Sequence, residues 1–514
     1  MSLGRAIATV GSLTLLSRII GFVRDVVLSA VLGSGPVADA FIVAFKLPNL
    51  FRRLFAEGAF SAAFVPLFAG KLEQEGPDAA RDFAERCQAV LVFALLGFVA
   101  LMEIFMPLGM YVLAPGFGDM PGKLELATEL SRITFPYLLF ISMVSLQSGV
   151  LNALGRFAAA AGTPVLLNIV SIAVLIALVP YTPTAGHAMA WGVFASGLAQ
   201  FAWLVFSMKK AGMSLRFVRP RLSPDVALML KRVVPGAVGA GVYQINLTVN
   251  TMIASKVANG AVSYLNYAER VNQLPLGVVG VAIGTALLPL LSRQLRAGEA
   301  GAALESQNRA MEMGLLLTLP AAAALMTIAH PIIAVLFERG SFTAADTDAV
   351  ALALMVLASG LPAYVLVKVL TPGFFAREDT RTPVRVAGAS MVLNVVVNLA
   401  LMAPLGYLGM ALSTSLAAWF NVAALIWLLH RRGYFTIDAR LRSRLGRIVA
   451  ACTAMSGCLW ASMALTAPLM PLPGWRIVAL ALLTVVGMGT YAAAVFLTGA
   501  AKLPEVKAML RRRK

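Results

Sequence analysis

The run SRIIGFVRD at residues 17–25 and the run ADAFIVAFKLPNLFRR at residues 38–53 place arginines inside two apolar segments of membrane length. Arg18 and Arg24 lie in the first segment, Arg52 lies in the second, and Arg270 lies in a later one. A cation in hydrocarbon costs at least ~2.5–3.5 kcal/mol, even on lenient insertion scales. Several together predict a water-filled cavity that binds an anionic ligand or holds internal ion pairs.

The whole chain has the composition of a membrane protein. Its 514 residues are 59% hydrophobic and only 13% charged, and the mean hydropathy is +0.83. Apolar runs of about 20 residues recur along its length, which fits membrane-spanning helices, and the two-residue alternation of a barrel is absent. The sequence therefore predicts an all-α polytopic membrane protein with fourteen transmembrane helices. We place them at residues 7–32, 37–68, 84–114, 124–153, 160–180, 186–208, 226–256, 261–291, 304–328, 346–374, 382–403, 406–430, 444–467 and 475–499.

The distribution of basic residues predicts the orientation. Most lysines and arginines lie in connections after even-numbered spans or in the C-terminal tail, and the opposite connections contain only Lys123, Arg339 and Arg476. Cytoplasmic loops carry such an excess of basic residues, so we expect both termini in the cytoplasm. The net charge of +18 then lies mainly beside anionic lipid headgroups, and nucleic acid is not an expected partner.

An internal repeat organises the spans. The stretch AFVPLFAGKLEQEGPDAA from Ala63 is echoed by ALLPLLSRQLRAGEAGAA from Ala286, and Phe135-Pro136-Tyr137 is echoed by Leu361-Pro362-Ala363. A six-span unit used twice inserts both copies in the same orientation, as parallel repeats around a central cavity. We therefore predict an N-lobe of spans one to six at residues 1–210 and a C-lobe of spans seven to twelve at 211–432. The last two spans and a basic cytoplasmic tail occupy 433–514.

The charged residues of the predicted cavity favour an anion. Arginine presents a planar fork that binds phosphate oxygens in pairs and keeps its charge. Nearby carboxylates would hold the arginines in place when the site is empty, although internal ion pairing alone remains an alternative. The candidate substrate-binding residues are Arg18, Arg24, Arg52, Arg270, Asp25, Asp39, Arg53 and Glu57.

A cation site is a weaker prediction. Asn394 and Asn398 are one helical turn apart on span eleven, and Thr414 lies on span twelve. Their oxygens could ligate a cation, but no carboxylate accompanies them, so hydrogen bonding between helices is the stronger interpretation. The chain has no Walker A pattern and no cofactor motif, so we expect a transporter without a cofactor, driven by an ion gradient, the membrane potential or the substrate gradient.

Five stretches of the sequence resemble the MurJ (MviN) family of lipid II flippases, within the MOP superfamily of exporters. They are SRIIGFVRD, ADAFIVAFKLPNLFRRLFAEGAFSAAFVP, RITFPY, YAERVNQLPLGVVGVAIGTALLP and VKVLTPGFFAREDTRTPV, which begin at residues 17, 38, 132, 267 and 367. The resemblance covers nearly the whole chain, including the fourteen-span count, and the span-two motif is highly specific.

The resemblance implies a function and a site. Members of this family move undecaprenyl-diphosphate-linked MurNAc-pentapeptide-GlcNAc (lipid II) to the outer leaflet of the bacterial cytoplasmic membrane for peptidoglycan synthesis, and cell-wall synthesis and division proteins are possible partners. The family's cavity arginines match Arg18, Arg24, Arg52 and Arg270, its span-two acid matches Asp39, and Asp25 follows Arg24 as in the family. The last two spans would hold the polyprenyl tail.

The resemblance leaves coupling and two other classes of protein open. Some relatives have an aspartate where this chain has Asn398, which puts sodium coupling in doubt. A cation-coupled exporter of the same superfamily would need acidic cavity residues instead of arginines. A scaffold that recruits cell-wall enzymes would not need mid-membrane arginines at all.

Overall fold

The computed structural model describes the backbone of residues 3–53, 59–472 and 474–501. Side chains are described over the same residues, except at 3–7, 59, 236–243, 245, 278–279, 281–282 and 285. Within these residues every regular element is helical. The prediction of an all-α protein is therefore confirmed for the described part of the chain.

Seventeen α-helices are formed by the described residues. The first eight are α1 (Leu3–Leu32), α2 (Pro36–Phe51), α3 (Ala59–Gln74), α4 (Pro77–Leu113), α5 (Lys123–Thr134), α6 (Tyr137–Ala153), α7 (Phe157–Leu178) and α8 (Ala185–Lys210). The next are α9 (Pro224–Ser255), α10 (Ala261–Arg296), α11 (Ala300–Thr327), α12 (Ala329–Phe337), α13 (Ala344–Ala358), α14 (Leu361–Phe375), α15 (Arg381–Arg431), α16 (Ala439–Thr466) and α17 (Trp475–Leu497).

The helices follow the predicted spans closely. In the described residues, nine helical segments are long and apolar enough to cross a membrane, so the chain is a polytopic membrane protein. Spans eleven and twelve together make up α15, which consists of two helices that meet at Gly406, where the backbone is non-helical (φ 57°, ψ −134°). Span two is described as two helices, α2 and α3, on either side of residues 54–58. The sequence did not predict α12, a short helix between spans nine and ten.

Two of the predicted spans break at the prolines that the repeat aligns. Span four divides into α5 and α6 beside Pro136, and span ten divides into α13 and α14 just before Pro362. Proline lacks the backbone N–H that a continuous helix requires and clashes with the preceding turn. The matching breaks explain why proline occurs at equivalent places in the two stretches of sequence.

The chain divides into two compact units. The first contains residues 1–263 and 339–342, and the second contains residues 264–338 and 343–514. The units are defined by packing, whereas the predicted lobes are defined by the sequence repeat. The main difference is α9, which the prediction places in the C-lobe and which belongs to the first unit. In the first unit α9 packs against α3 and α4.

Stacked aromatic rings form the core of the first unit between α3, α4 and α6. Phe64 stacks on Phe60, Phe68 and Phe83, with ring centroids 5.5–5.7 Å apart. Gly149 of α6 lies against Phe64, where a Cβ would come within 3.1 Å of the ring. Large rings on one helix thus pack against a residue without a side chain on the next, which allows the close packing typical of membrane helices.

In the second unit, α11 is the central helix. It packs against α13, α14 and α16, and α16 packs in turn against α17. Tyr491 of α17 donates a 2.6 Å hydrogen bond to the carbonyl of Leu316, and Gly487 of α17 lies against Leu459 of α16. Glu312 of α11 accepts from Arg440 and Arg444 at the start of α16. The last two predicted spans are therefore fixed to α11 by both apolar and ionic contacts.

A loop of the first unit is fixed to the end of α1. The Ser341 N–H donates a 2.8 Å hydrogen bond to the Ala30 carbonyl. Gly340, with φ +60°, lies so close that a Cβ would be 2.2 Å from the same oxygen. Only glycine adopts this backbone conformation at low cost, and only glycine leaves room for the contact.

We predict that Gly340→Ala lowers the thermal stability of the protein in detergent. Two costs add, about 1–2 kcal/mol for the left-handed backbone and a further ~1–3 kcal/mol for overpacking. Gly122→Ala is the matched control, because Gly122 has φ +75° with nothing within 4 Å of a Cβ. Equal losses in the two variants would show that the contact with Ala30 contributes nothing.

Candidate functional site

Helix α1 carries two arginines and one carboxylate within its apolar length. The Arg24 Nη2 and Nε atoms donate to the Asp25 Oδ1 atom at 2.8 and 3.2 Å. Both side chains are largely buried, with about a tenth of each exposed. Arg18 is exposed on the same helix, six residues earlier. The prediction that Asp25 holds a cavity arginine in place agrees with its pairing to Arg24.

The arginines of span two lie where helix α2 ends. Arg52 is the C-terminal capping residue of α2, its Nε donates to Asn49 Oδ1 at 3.1 Å, and Arg53 is exposed. We expected both arginines inside one continuous span at 37–68. Helix α2 ends at Phe51 and the next two residues form a π-helical turn, whereas residues 54–58 lie outside the described residues, so one continuous span at 37–68 stays a prediction. Glu57, also a candidate, lies outside the described residues.

Arg270 lies in the second unit, on an exposed part of α10. Its neighbour Glu269 accepts a 2.8 Å hydrogen bond from Gln273 one turn later. The candidate arginines of the first unit are thus on α1 and at the end of α2, and the fourth candidate is on α10.

Asp39 is the most completely enclosed candidate residue. It is fully buried, and Oδ2 accepts from the Lys123 ammonium at 2.9 Å and from the Gly260 N–H at 2.8 Å. Oδ1 accepts from the Ser263 N–H at 2.8 Å. Gly260 and Ser263 flank the first residues of α10, where helix N–H groups lack partners within the helix. Asp39 therefore caps α10 and pairs with a lysine, so the expectation that it orients a cavity arginine is wrong.

Lys123 has a complete set of partners around its ammonium. Besides Asp39, Nζ donates to Asn259 Oδ1 at 2.9 Å and lies 4.3 Å from the centroid of the Phe117 ring. Only 3% of Lys123 is exposed. A buried ion pair is tolerated when both charges are hydrogen-bonded. We assigned Lys123 to an outer connection, and no pattern in the sequence indicates its partner, Asp39, 84 residues earlier.

Two further lysines within the predicted spans were not among our candidates. Lys46 of α2 donates a 3.0 Å hydrogen bond to Thr251 of α9. Lys368 of α14 lies beside α10, where a Cβ on Gly280 would be 3.3 Å from its Nζ. Both occur in the runs that carry the family resemblance, ADAFIVAFKLPNLFRR and VKVLTPGFF. Their position inside apolar runs was the signal that could have identified them.

The polar residues of α15 make the hydrogen bonds that we expected between spans. Asn394 Nδ2 lies 3.4 Å from Ser413 Oγ and 3.5 Å from Thr414 Oγ1, on the other side of the kink at Gly406. Asn394 and Asn398 are both buried. Within the described residues, no group of three or more His, Cys, Asp or Glu side chains could hold a metal ion. Any cation bound here would depend on neutral oxygen ligands.

The charges of α1 and α2 add up to an excess of cations. The carboxylates Asp25 and Asp39 are paired with Arg24 and Lys123, and by sequence α1 and the run from Asp39 to Arg53 contain more arginines and lysines than carboxylates. Arginine in particular suits a phosphate, because its donors match the spacing of two oxygens. The described part of the first unit can therefore attract an anionic group and orient it.

The fold is similar to that of two solved transporters. The structure matches an inward-facing multidrug resistance MATE family transporter of the MOP superfamily with a TM-score of 0.65 and 15% identity, over 84% of this chain and 98% of that one. It matches the inward closed conformation of lipid II flippase MurJ with a TM-score of 0.77 and 25% identity, over 95% of this chain and 98% of that one.

The sequence defines the family more narrowly. The family model described as lipid II flippase MurJ matches residues 28–472. A probable lipid II flippase MurJ of Rhizobium meliloti (strain 1021) is 45% identical over 524 residues, covering 100% of this chain and 97% of its own. One from Vibrio cholerae is 37% identical, covering 88% and 87%. The chain belongs to the lipid II flippase MurJ family, a family of transporters, and the resemblance found in the sequence is confirmed.

We predict that Asp39 and Lys123 stabilise the protein as a pair. Asp39→Asn or Lys123→Met alone leaves one buried charge without its partner, which costs about 3–5 kcal/mol. The double variant removes both charges and should lose less stability than the sum of the single losses. Thermal unfolding of the purified variants in detergent measures the coupling. Additive losses would show that the two groups act independently.

Proposed function

We propose that this protein moves lipid II from the cytoplasmic leaflet to the outer leaflet of the bacterial cytoplasmic membrane. Its membership of the MurJ family and its likeness to a lipid II flippase over the whole chain support this substrate. The observation that carries the proposal is the cation excess on α1 and α2. A diphosphate needs such a cation excess, whereas an exporter of cationic drugs would require the opposite charge.

The diphosphate of lipid II is the group that the arginines would bind. Arg18, Arg24, Arg52 and Arg270 form the proposed clamp, Asp25 orients Arg24 between cycles, and Arg53 and Glu57 are further residues that we propose for substrate binding. Arg24 has both a carboxylate partner and a small exposed fraction, which suits a residue that exchanges one anion for another. Charge-assisted hydrogen bonds to phosphate are about twice as strong as neutral ones.

The proposed topology comprises fourteen membrane crossings with both termini in the cytoplasm. The proposed N-lobe (1–210) and C-lobe (211–432) rock about a central cavity and open it to each side in turn, as parallel repeats allow. Residues 433–514 would supply the groove for the polyprenyl tail and a basic cytoplasmic anchor. The aligned prolines of spans four and ten support the repeat on which the lobes depend.

We also propose that transport is coupled to the membrane potential or to a monovalent cation. The chain lacks the Walker A pattern that binds ATP, so the driving force must come from another source. Asn394, Asn398 and Thr414 are the residues that we propose for a cation site. The side-chain amide oxygen of Asn394, Oδ1, is buried in α15 and has no hydrogen-bond partner within the described residues. This supports a ligand at this place. Their neutral oxygens suit a monovalent ion better than a divalent one.

We predict that Arg24→Ala slows flipping of labelled lipid II in proteoliposomes by at least about tenfold, because each charge-assisted hydrogen bond is worth roughly 1.5–3 kcal/mol. Protection of the label from an external quencher measures the rate. Arg385→Gln, which changes an exposed arginine at the start of α15, is the control and should flip normally. Flipping by Arg24→Ala at the control rate would remove the clamp.

We also predict that lysine replaces these arginines only in part. Arg18→Lys, Arg24→Lys and Arg52→Lys retain the charge but lose the paired donors. Each variant should flip lipid II more slowly than the wild type and faster than the matching alanine variant, in the same proteoliposome assay. Wild-type rates in all three lysine variants would mean that net charge alone suffices.

A further inference from the structure

A cleft between α15 and α16 opens on the surface of the second unit. The two helices are joined by the connection at residues 432–438, yet they make almost no contact along their lengths within the described residues. The space between them has a volume of about 390 Å³. Its lining comes from α11, α15, α16 and the break between α13 and α14: Leu319, Ala322, Ala323, Met326, Ser359, Pro362, Trp419, Val449, Cys452, Thr453 and Ser456.

The lining of this cleft is mainly apolar. The Trp419 indole N–H donates to the Ser359 carbonyl at 3.0 Å. The hydroxyl of Ser359 donates to Val356 and that of Thr453 to Val449, at 2.6 and 3.1 Å. The polar groups of Trp419, Ser359 and Thr453 are thus already paired within the protein, and most of the remaining lining is apolar. Water would therefore gain few hydrogen bonds in the cleft. An apolar chain fills such a space more favourably.

A cation lies in line with the cleft on the same face of α16. Positions 442, 449 and 456 are seven residues apart, and an α-helix drifts by only ~20° over that interval. Arg442 is therefore on the same face as Val449 and Ser456, and it lies ~10 and ~21 Å from them along the helix axis, toward the start of α16. Gly446 lies between Arg442 and Val449 in the sequence, and nothing is within 4 Å of the place where its Cβ would be. Arg442 thus lies on the same face of α16 as the cleft residues and nearer the start of the helix.

Arg442 differs from the other arginines at the start of α16. Arg440 and Arg444 both donate to Glu312 of α11, so their charges are compensated within the protein. Arg442 is exposed, and the ion pairs of the described residues do not include it. Its guanidinium is available to a negative group outside the protein.

We propose that this cleft is a binding site for an anionic phospholipid of the leaflet beside residues 432–438, the cytoplasmic leaflet in the topology proposed above. One acyl chain lies between α15 and α16, and the phosphate binds Arg442. A cleft that faces lipid does not stay empty, because close packing is the lower-energy state. A bilayer phospholipid is the occupant, since it is present in bulk and its phosphate lies at the depth of the helix end.

Native mass spectrometry of the delipidated, full-length protein in detergent tests the site, with phosphatidylglycerol and phosphatidylcholine as probes. One arginine near the membrane surface favours an anionic lipid by about fivefold, so wild type should bind phosphatidylglycerol that much more tightly. Arg442→Gln should bind the two lipids equally. Thr453→Phe, which fills the cleft, should lose binding of both lipids.

Two matched variants serve as controls. Arg385→Gln removes an exposed arginine elsewhere, and Ala454→Phe places the same ring on an exposed position of α16 next to the cleft face. Both should bind phosphatidylglycerol as wild type does. Wild-type binding by Arg442→Gln and Thr453→Phe together would overturn the proposal. Displacement of phosphatidylglycerol by equimolar undecaprenyl phosphate would also overturn it, because the cleft would then be a polyprenyl site.

Discussion

The carboxylate of Asp39 fixes the start of one membrane helix to two others. It accepts hydrogen bonds from Lys123 at the start of α5 and from the backbone at the start of α10, and it has no exposed surface. In a low-dielectric surrounding each of these bonds is strong, and each broken one leaves a costly unpaired group. Because the bonds are directional, they define the axial position of all three helices, which apolar packing alone leaves free to slide.

The positions of the basic residues on α2 depend on this arrangement. Arg52 is the C-terminal cap of α2, thirteen residues after Asp39 in its first turn, and Lys46 lies between them. A slip of one residue in α2 would rotate Lys46 by about 100° and separate it from its hydrogen-bond acceptor on α9, Thr251. The buried pair thus helps to hold Lys46 in place against α9.

The sequence predicted the helices well, because membrane spans are specified by their own composition. Length and hydropathy are local properties, so the bounds of α8 and α17 differ from the predicted spans by a few residues at most. The pairing of Asp39 with Lys123 could not be predicted in this way, because it joins residues 84 positions apart. Arg24 and Asp25 are adjacent, and their pairing was accessible from the sequence.

The same fold occurs in a multidrug resistance transporter and in a lipid II flippase, so the function of this chain lies in its side chains. The MATE transporter shares the architecture at 15% identity, and such a likeness shows the fold alone. What distinguishes this chain is that its first two helices contain more cations than carboxylates, and that the carboxylate of Asp39 is already used for structure. Under the proposed function, an anion would meet more cations than carboxylates on α1 and α2, and the carboxylate of Asp39 is already bonded to Lys123. The sign of the charge on these helices is therefore the feature that favours an anionic substrate over a cationic one.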